Sequence, residues 1–363
     1  MMRGSNDTVR WDAGAYFAAS NSRAGFHSYY EACFRNKVDT LYIIKGGPGT
    51  GKSALMRALA QAGEARGYRA EYIYCSSDPD SLDAILLYGK GGKSVGFLDG
   101  TAPHLFEASM PGVREELIDL GAFWSHKALS AREREIASLS EQKKREYLAA
   151  YRYLAMAGEC MDLMREGVSA CLDAERVRRL VRRLTVGIPA SARKEGRCRI
   201  ALRESIGMRG WVSLPTYERK ATTLCYLLPH YGVEYEVLAE ILRVGQARGA
   251  DICVSYHPVC PDRINALHFP DAGISFLPAE KVGVDHPGAR CVDLRRLLLS
   301  APLGARRGEI RHAVRLYREA IEGACHRMQA VAEAHFALEE IYTSAMDFDA
   351  KEAYTEALIE RIF

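Results

Sequence analysis

The sequence predicts an α/β fold made of two tandem units, each a mostly parallel sheet flanked by helices, with helical extensions after each. Three observations point there. A β-branched and aromatic run, Thr40-Leu41-Tyr42-Ile43-Ile44, leads through a glycine-rich turn into a helical pattern that carries Leu55, Leu59 and Ala62 on one face. Blocks of the first half of the chain recur, in order, in the second half. Behind each set of blocks lies a long stretch whose apolar residues fall at helical spacing.

Taken in order, the strand Thr40–Ile44 and a helix from about Ser53 to Gly67 bracket Gly46-Gly47-Pro48-Gly49-Thr50-Gly51-Lys52-Ser53. This octet fits G-x-x-x-x-G-K-[ST], the phosphate-binding loop, in the strand-to-helix context that gives the pattern its meaning. Glycines let the chain turn tightly, so that successive N–H groups face an anion while the helix N-terminus adds partial positive charge. Lys52 is then placed to reach the β- and γ-phosphates of ATP, and Ser53 to offer its hydroxyl to Mg²⁺.

The next strand is Ala70-Glu71-Tyr72-Ile73-Tyr74, and Asp78 follows it, either orienting an attacking water or serving as a turn residue. Asp80 is expected to cap a helix and Ser28 to make a structural hydrogen bond. Ser94-Val95-Gly96-Phe97-Leu98-Asp99 has the pattern of a buried strand ending in a carboxylate, which makes Asp99 the Walker B-type acid behind the metal or, failing that, a strand-end cap. Gly100 stands where many ATPases keep a catalytic Glu, while Thr101 and His104 lie just beyond the strand, either sensing a γ-phosphate or, for the histidine, simply solvated or satisfied in the core. Ala150, Leu154, Ala157, Met161, Met164, Val168 and Cys171 mark the first long helix, and Ile310, Val314, Tyr317, Ile321, Ala324, Met328, Val331, His335, Leu338 and Tyr342 the second. The expected boundaries are 14–185 for the first unit and its extension, 186–199 for a joint rich in Gly, Pro and Ser, and 200–363 for the second unit.

Self-comparison supports the duplication. Gly25-Phe26-His27-Ser28 recurs as Gly210-Trp211-Val212-Ser213, Ala65-Arg66-Gly67 as Ala247-Arg248-Gly249, and Pro111-Gly112-Val113-Arg114 as Pro287-Gly288-Ala289-Arg290. The loop does not recur: Gly46, Gly51, Lys52 and Ser53 align with Pro229, Glu234, Tyr235 and Glu236, and the Asp99 strand aligns with Ile274-Ser275-Phe276-Leu277-Pro278. A carboxylate in place of the loop repels phosphate, so one nucleotide site per chain is expected.

The chain has 363 residues, 48% of them apolar, enough for one or two cores. Lys plus Arg against Asp plus Glu is 49 to 46, which ranks a nucleic-acid partner below a protein partner or a homo-oligomer. Ten scattered cysteines with no C-x-x-C pair, and a start without signal-peptide character, suggest a reducing cytoplasm. No apolar stretch approaches the ~20 residues of a membrane span. Three further patterns are discounted: Gly91-Gly92-Lys93-Ser94 as a flexible turn, Cys253, His257 and Cys260 as buried small residues rather than metal ligands, and Arg176, Arg178, Arg179, Arg182 and Arg183 as a solvated helix face.

The segments Tyr42 to Ser53, Asp78-Pro79-Asp80-Ser81-Leu82-Asp83 and Asp99-Gly100-Thr101-Ala102-Pro103-His104 together resemble an uncharacterised family of bacterial P-loop ATPases, mostly from Firmicutes, over most of the chain. The resemblance implies tandem P-loop NTPase units and ATP binding, with no settled substrate. Mg²⁺-dependent ATP hydrolysis by the first unit, beside a degenerate second unit, is therefore expected. Two alternatives stay open: a small-molecule kinase, in which Arg132 or Arg134 closes on the phosphate, and a slow-turnover nucleotide switch that signals to a partner.

Overall fold

The computed structural model describes residues 14–104, 106–191, 195–279 and 288–363, so Pro287 of the repeat and residues 192–194 of the expected joint lie outside it. The first half runs β1 (Tyr16–Phe17), β2 (Ala19–Ser22), β3 (Gly25–Ser28), α1 (Tyr30–Phe34), β4 (Thr40–Lys45), α2 (Lys52–Ala65), β5 (Arg69–Tyr74), β6 (Leu82–Tyr88), β7 (Ser94–Asp99) and β8 (Glu115–Asp119). Helices α3 (His126–Ala131), α4 (Glu133–Ser169) and α5 (Ala174–Leu184) complete it. The second half repeats the order with β9 (Cys198–Ile200), β10 (Glu204–Gly207), β11 (Gly210–Ser213), α6 (Thr216–Lys220), β12 (Thr223–Leu228), α7 (Val233–Ala247), β13 (Ile252–Tyr256), β14 (Ile264–Phe269), β15 (Ile274–Pro278) and β16 (Arg290–Asp293). A single helix α8 (Ser300–Ser344) replaces α3 and α4, and α9 (Phe348–Ile362) matches α5.

Each half forms its own mixed six-stranded sheet, in the spatial orders β1-β5-β6-β7-β4-β8 and β9-β13-β14-β15-β12-β16. Element for element the two orders are the same. All strands of the first sheet point one way except β6, and all of the second except β14. Helix α2 crosses from β4 to the parallel strand β5, but β7 and β6 lie between those two strands, so the expected β-α-β order is present without adjacency.

Strand β6 corrects the expectation for Asp80. The residue precedes a strand rather than a helix, because Leu82-Asp83-Ala84-Ile85-Leu86-Leu87 is buried on both faces, as a run enclosed within a sheet requires. The same correction applies to its repeat partner Asp262, which stands before β14. The glycine pair Gly91 and Gly92, both at positive φ, closes the β6–β7 hairpin as a turn. Ser28 does act structurally, its hydroxyl accepting the Tyr30 N–H at 3.3 Å.

Long helices α4 and α8 pack together over the two units through Ala150, Leu154, Ala157 and Met161 against Ala320, Ala324, Met328 and Val331, the two apolar stripes read from the sequence. The shorter helices cross over. Helix α5 buries Val177, Leu180, Val181 and Leu184 with Val237, Leu238 and Ile241 of α7, against the second sheet. Helix α9 buries Leu358 and Ile362 with Leu55, Met56 and Leu59 of α2, against the first. Further ties join the halves: Phe17 and Leu202 exchange backbone hydrogen bonds at 2.8 and 3.0 Å, and Arg199 pairs with buried Glu71. Strand β9 begins inside the segment expected to be the joint.

Candidate functional site

The loop 46–53 links β4 to α2 as the sequence predicts, at the end of the strands where β7 also terminates. Helix α2 starts from Gly51 at φ 76°, and Gly49 adopts φ 71°, conformations open to glycine and strained for other residues. Thr50 is buried and donates its hydroxyl to Gly47 O at 3.0 Å, which holds the bend. Lys52 lies back along the loop, with Nζ donating to Gly46 O and Gly47 O at 2.8 Å each and lying 3.5 Å from Asp99 Oδ2.

Asp99 ends β7 directly beside β4 and accepts the Thr101 N–H at 2.8 Å, so it is at once a strand-end cap and the acid nearest Lys52. Thr101 donates its hydroxyl to Gly46 O at 2.7 Å. Ser53 differs from expectation in its present partner: Oγ accepts the Leu82 N–H at 3.0 Å, which ties α2 to β6 and leaves the hydroxyl proton and one lone pair for another ligand. Asp78 is a turn residue, accepting from Ser81 Oγ at 2.8 Å, and it also lines the cleft.

The remaining wall comes from residues that the motif does not contain. A cavity of about 210 Å³ is bounded by the loop, Asp78, Asp83, Asp99 and His104, and is closed by Lys143 and Tyr147 of α4 and His335 and Glu339 of α8. Burial lowers the Lys143 pKa, and nearby Lys52 lowers it further. Among the described residues no carboxylate pairs with Lys143. The Glu339 pKa is raised by burial and then by Asp78, against the opposing pull of the Gly49 backbone N–H and of Lys52. Burial, with Lys143 adding to it, pushes the His335 imidazole down to about 4, so it is neutral at pH 7. Helix α8 presses closely enough that a Cβ on Gly49 would sit 2.6 Å from Glu339 O.

Sequence signals for these residues exist. Tyr147 and Lys143 continue the α4 stripe one and two turns before Ala150, and His335 is a polar residue within the α8 stripe. The other candidates fall away from the cleft: Arg132 is held by Glu135 at 2.8 Å, and neither it nor Arg134 lines the cavity. The arginines of α5 are exposed, and Arg176, Arg179 and Arg183 border a separate groove with Arg290 and Arg296. Cys253, His257 and Cys260 form no metal-competent group among the described residues, and His257 Nδ1 instead accepts the N–H groups of Val259 and Cys260 at 3.2 and 3.3 Å.

The second unit shows why it lacks an equivalent cleft chemistry. Helix α7 starts from Gly232 at φ 89°, the counterpart of Gly51, but the turn after β12 is two residues shorter than the turn after β4. This register places Val233 opposite Lys52 and Glu234 opposite Ser53, correcting the alignment with Tyr235 and Glu236. The buried Glu234 carboxylate then folds over its own turn, accepting the His230 N–H at 3.0 Å as well as backbone N–H groups of Gly232 and Glu234. Pro278 occupies the position of Asp99 in the parallel pairing.

No family model, curated protein or solved structure matches this chain. No helix among the described residues is long and apolar enough to cross a membrane.

Proposed function

We propose that the chain is a Mg²⁺-dependent ATPase with one active phosphate loop, and that its two sheet units descend from a tandem duplication in which the second lost the loop. The observation that carries this is the convergence of two ammonium groups, Lys52 and Lys143, from separate elements onto one glycine-rich turn. Among the described residues Lys52 has a carboxylate at ion-pair distance and Lys143 has none. A polyphosphate supplies an anionic partner for Lys143. Loop amides hold the phosphates, Lys52 and Lys143 stabilise charge on the transferring phosphoryl group, and Ser53 and Asp99 support the metal. Glu339, absent from the motif but facing the same cavity, is the carboxylate available to take the proton of an attacking water.

At about 210 Å³ the cavity is smaller than the ~300 Å³ at which pockets begin to enclose drug-sized ligands, so seating a whole nucleotide moves α4 and α8 back. Occupancy is thereby reported to both halves of the chain. Equilibrium binding of ATP with Mg²⁺ tests the assignment. Wild-type protein retains ATP and Lys52→Ala loses affinity by at least tenfold; a wild-type chain that retains no nucleotide removes the assignment altogether. Single-turnover hydrolysis slower than nucleotide dissociation would instead favour a switch.

A further inference from the structure

Beside the phosphate loop lies a second group of chemically competent side chains: Cys75 after β5, Asp83 on β6 and His104 after β7. One ligand atom from each falls within 4.8 Å of the other two, the one such trio among the described residues. His104 Nε2 stands 3.3 Å from Asp83 Oδ2. In a tetrahedral zinc site with bonds of about 2.0 to 2.3 Å, ligand atoms are separated by roughly 3.3 to 3.8 Å. The His104–Asp83 separation already matches that spacing, and the Cys75 ligand atom lies within 4.8 Å of both.

Its surroundings favour a cation. Asp83 and His104 are 4% and 6% exposed, and the Tyr30 hydroxyl and Asp99 crowd the same carboxylate. One buried polar atom of the group, His104 Nδ1, has no hydrogen-bond partner. Cys75 Sγ accepts the Asp78 N–H at 3.5 Å, which orients the sulfur. The His104 ring is fixed by stacking on Tyr30 at 4.7 Å and by an edge contact with Phe26 at 5.0 Å.

We propose that Cys75, Asp83 and His104 form a three-ligand site for a thiophilic divalent transition metal, zinc by donor chemistry, whose fourth position opens into the phosphate-loop cleft. Sulfur and imidazole donors select against Mg²⁺, which takes oxygen ligands, so this cation is distinct from the one assigned to Ser53 and Asp99. The site stands whether or not the loop binds ATP, because its ligands are on other elements.

The test uses the full chain without nucleotide, stripped with a chelator and titrated with Co²⁺ and then Zn²⁺. One Co²⁺ per chain, with a sulfur-to-cobalt charge-transfer band that Zn²⁺ abolishes and Mg²⁺ leaves unchanged, is the expected result. Cys75→Ser removes the band, and His104→Gln weakens Co²⁺ binding at least tenfold, each with wild-type circular dichroism. Wild-type protein that binds no Co²⁺, or a band that persists in Cys75→Ser, overturns the site. The wild-type titration decides the matter even where a variant fails to fold.

Discussion

Replacing Glu339 by Gln separates the two tasks assigned to that carboxylate. The Glu339 carboxylate, its pKa raised by burial and Asp78, faces the Gly49 N–H, which opposes that rise, and so it competes for loop surface with a phosphate oxygen. A hydrogen bond to a charged group contributes ~1.5–3 kcal/mol, against ~1 kcal/mol for a neutral pair. The amide therefore releases the loop more easily by roughly 1 kcal/mol or somewhat more, and also removes like-charge repulsion toward the incoming triphosphate. ATP affinity is expected to rise about tenfold by this arithmetic. Turnover moves the other way, because a positioned base contributes typically ~10²–10⁴ in rate and the amide cannot accept the proton. The assay pairs equilibrium binding of a fluorescent ATP analogue with single-turnover phosphate release, the melting temperature serving as the folding control. Wild-type hydrolysis in Glu339→Gln refutes the role as base. Weaker binding refutes the competition with phosphate.

Three other outcomes follow from the geometry. Gly49→Ala places a methyl group 2.6 Å from the Glu339 carbonyl oxygen and 2.5 Å from Thr343 Oγ1, in a residue already at positive φ; it should destabilise the chain by ~2 kcal/mol or more in urea unfolding, and an unchanged midpoint would show that α8 does not rest on the loop. Calorimetric titration should give one ATP site per chain, unchanged by Glu234→Gln, since Val233 replaces the lysine there; two equal sites would contradict the lost second loop. Stability should fall as pH drops from about 6.5 toward 4, because burial pushes His268 down to about 4 and His257 to about 3, so the unfolded chain binds protons that the folded chain excludes. That contribution is fully present above the unfolded histidine value and is lost on acidification, with a ceiling of about 3 kcal/mol for His268. A flat urea midpoint across that range, or an identical slope in a His257→Asn/His268→Asn variant, would rule it out.

The legible parts of the molecule are those that local chemistry dictates. The strand-loop-helix from Thr40 to Ala65 appears where it was expected, because helix initiation after a glycine turn and the burial of Leu55 and Leu59 are decided within a few residues. The repeat was visible for the same reason, since a recurring block specifies a recurring element. Strand β6 was missed because Asp78-Pro79-Asp80-Ser81 resembles a helix cap until the two-sided burial of Leu82–Leu87 is known. The cleft was legible only in its floor. Lys143 and Glu339 reach it through the packing of α4 on α8, a choice made by whole helix faces and recorded in no short motif. The destinations of α5 and α9 were equally hidden, because an amphipathic helix advertises an apolar face without naming the surface it will cover.

That crossing has a consequence for biosynthesis. The hydrophobic floor of α2 stays bare until Leu358 and Ile362, far downstream of it in the chain, leave the ribosome. Meanwhile α5, made midway, waits for a sheet that does not yet exist. Neither half can be expressed alone as a sealed body, and a chain clipped within α9 would carry an exposed, aggregation-prone seam on the very unit that bears the loop.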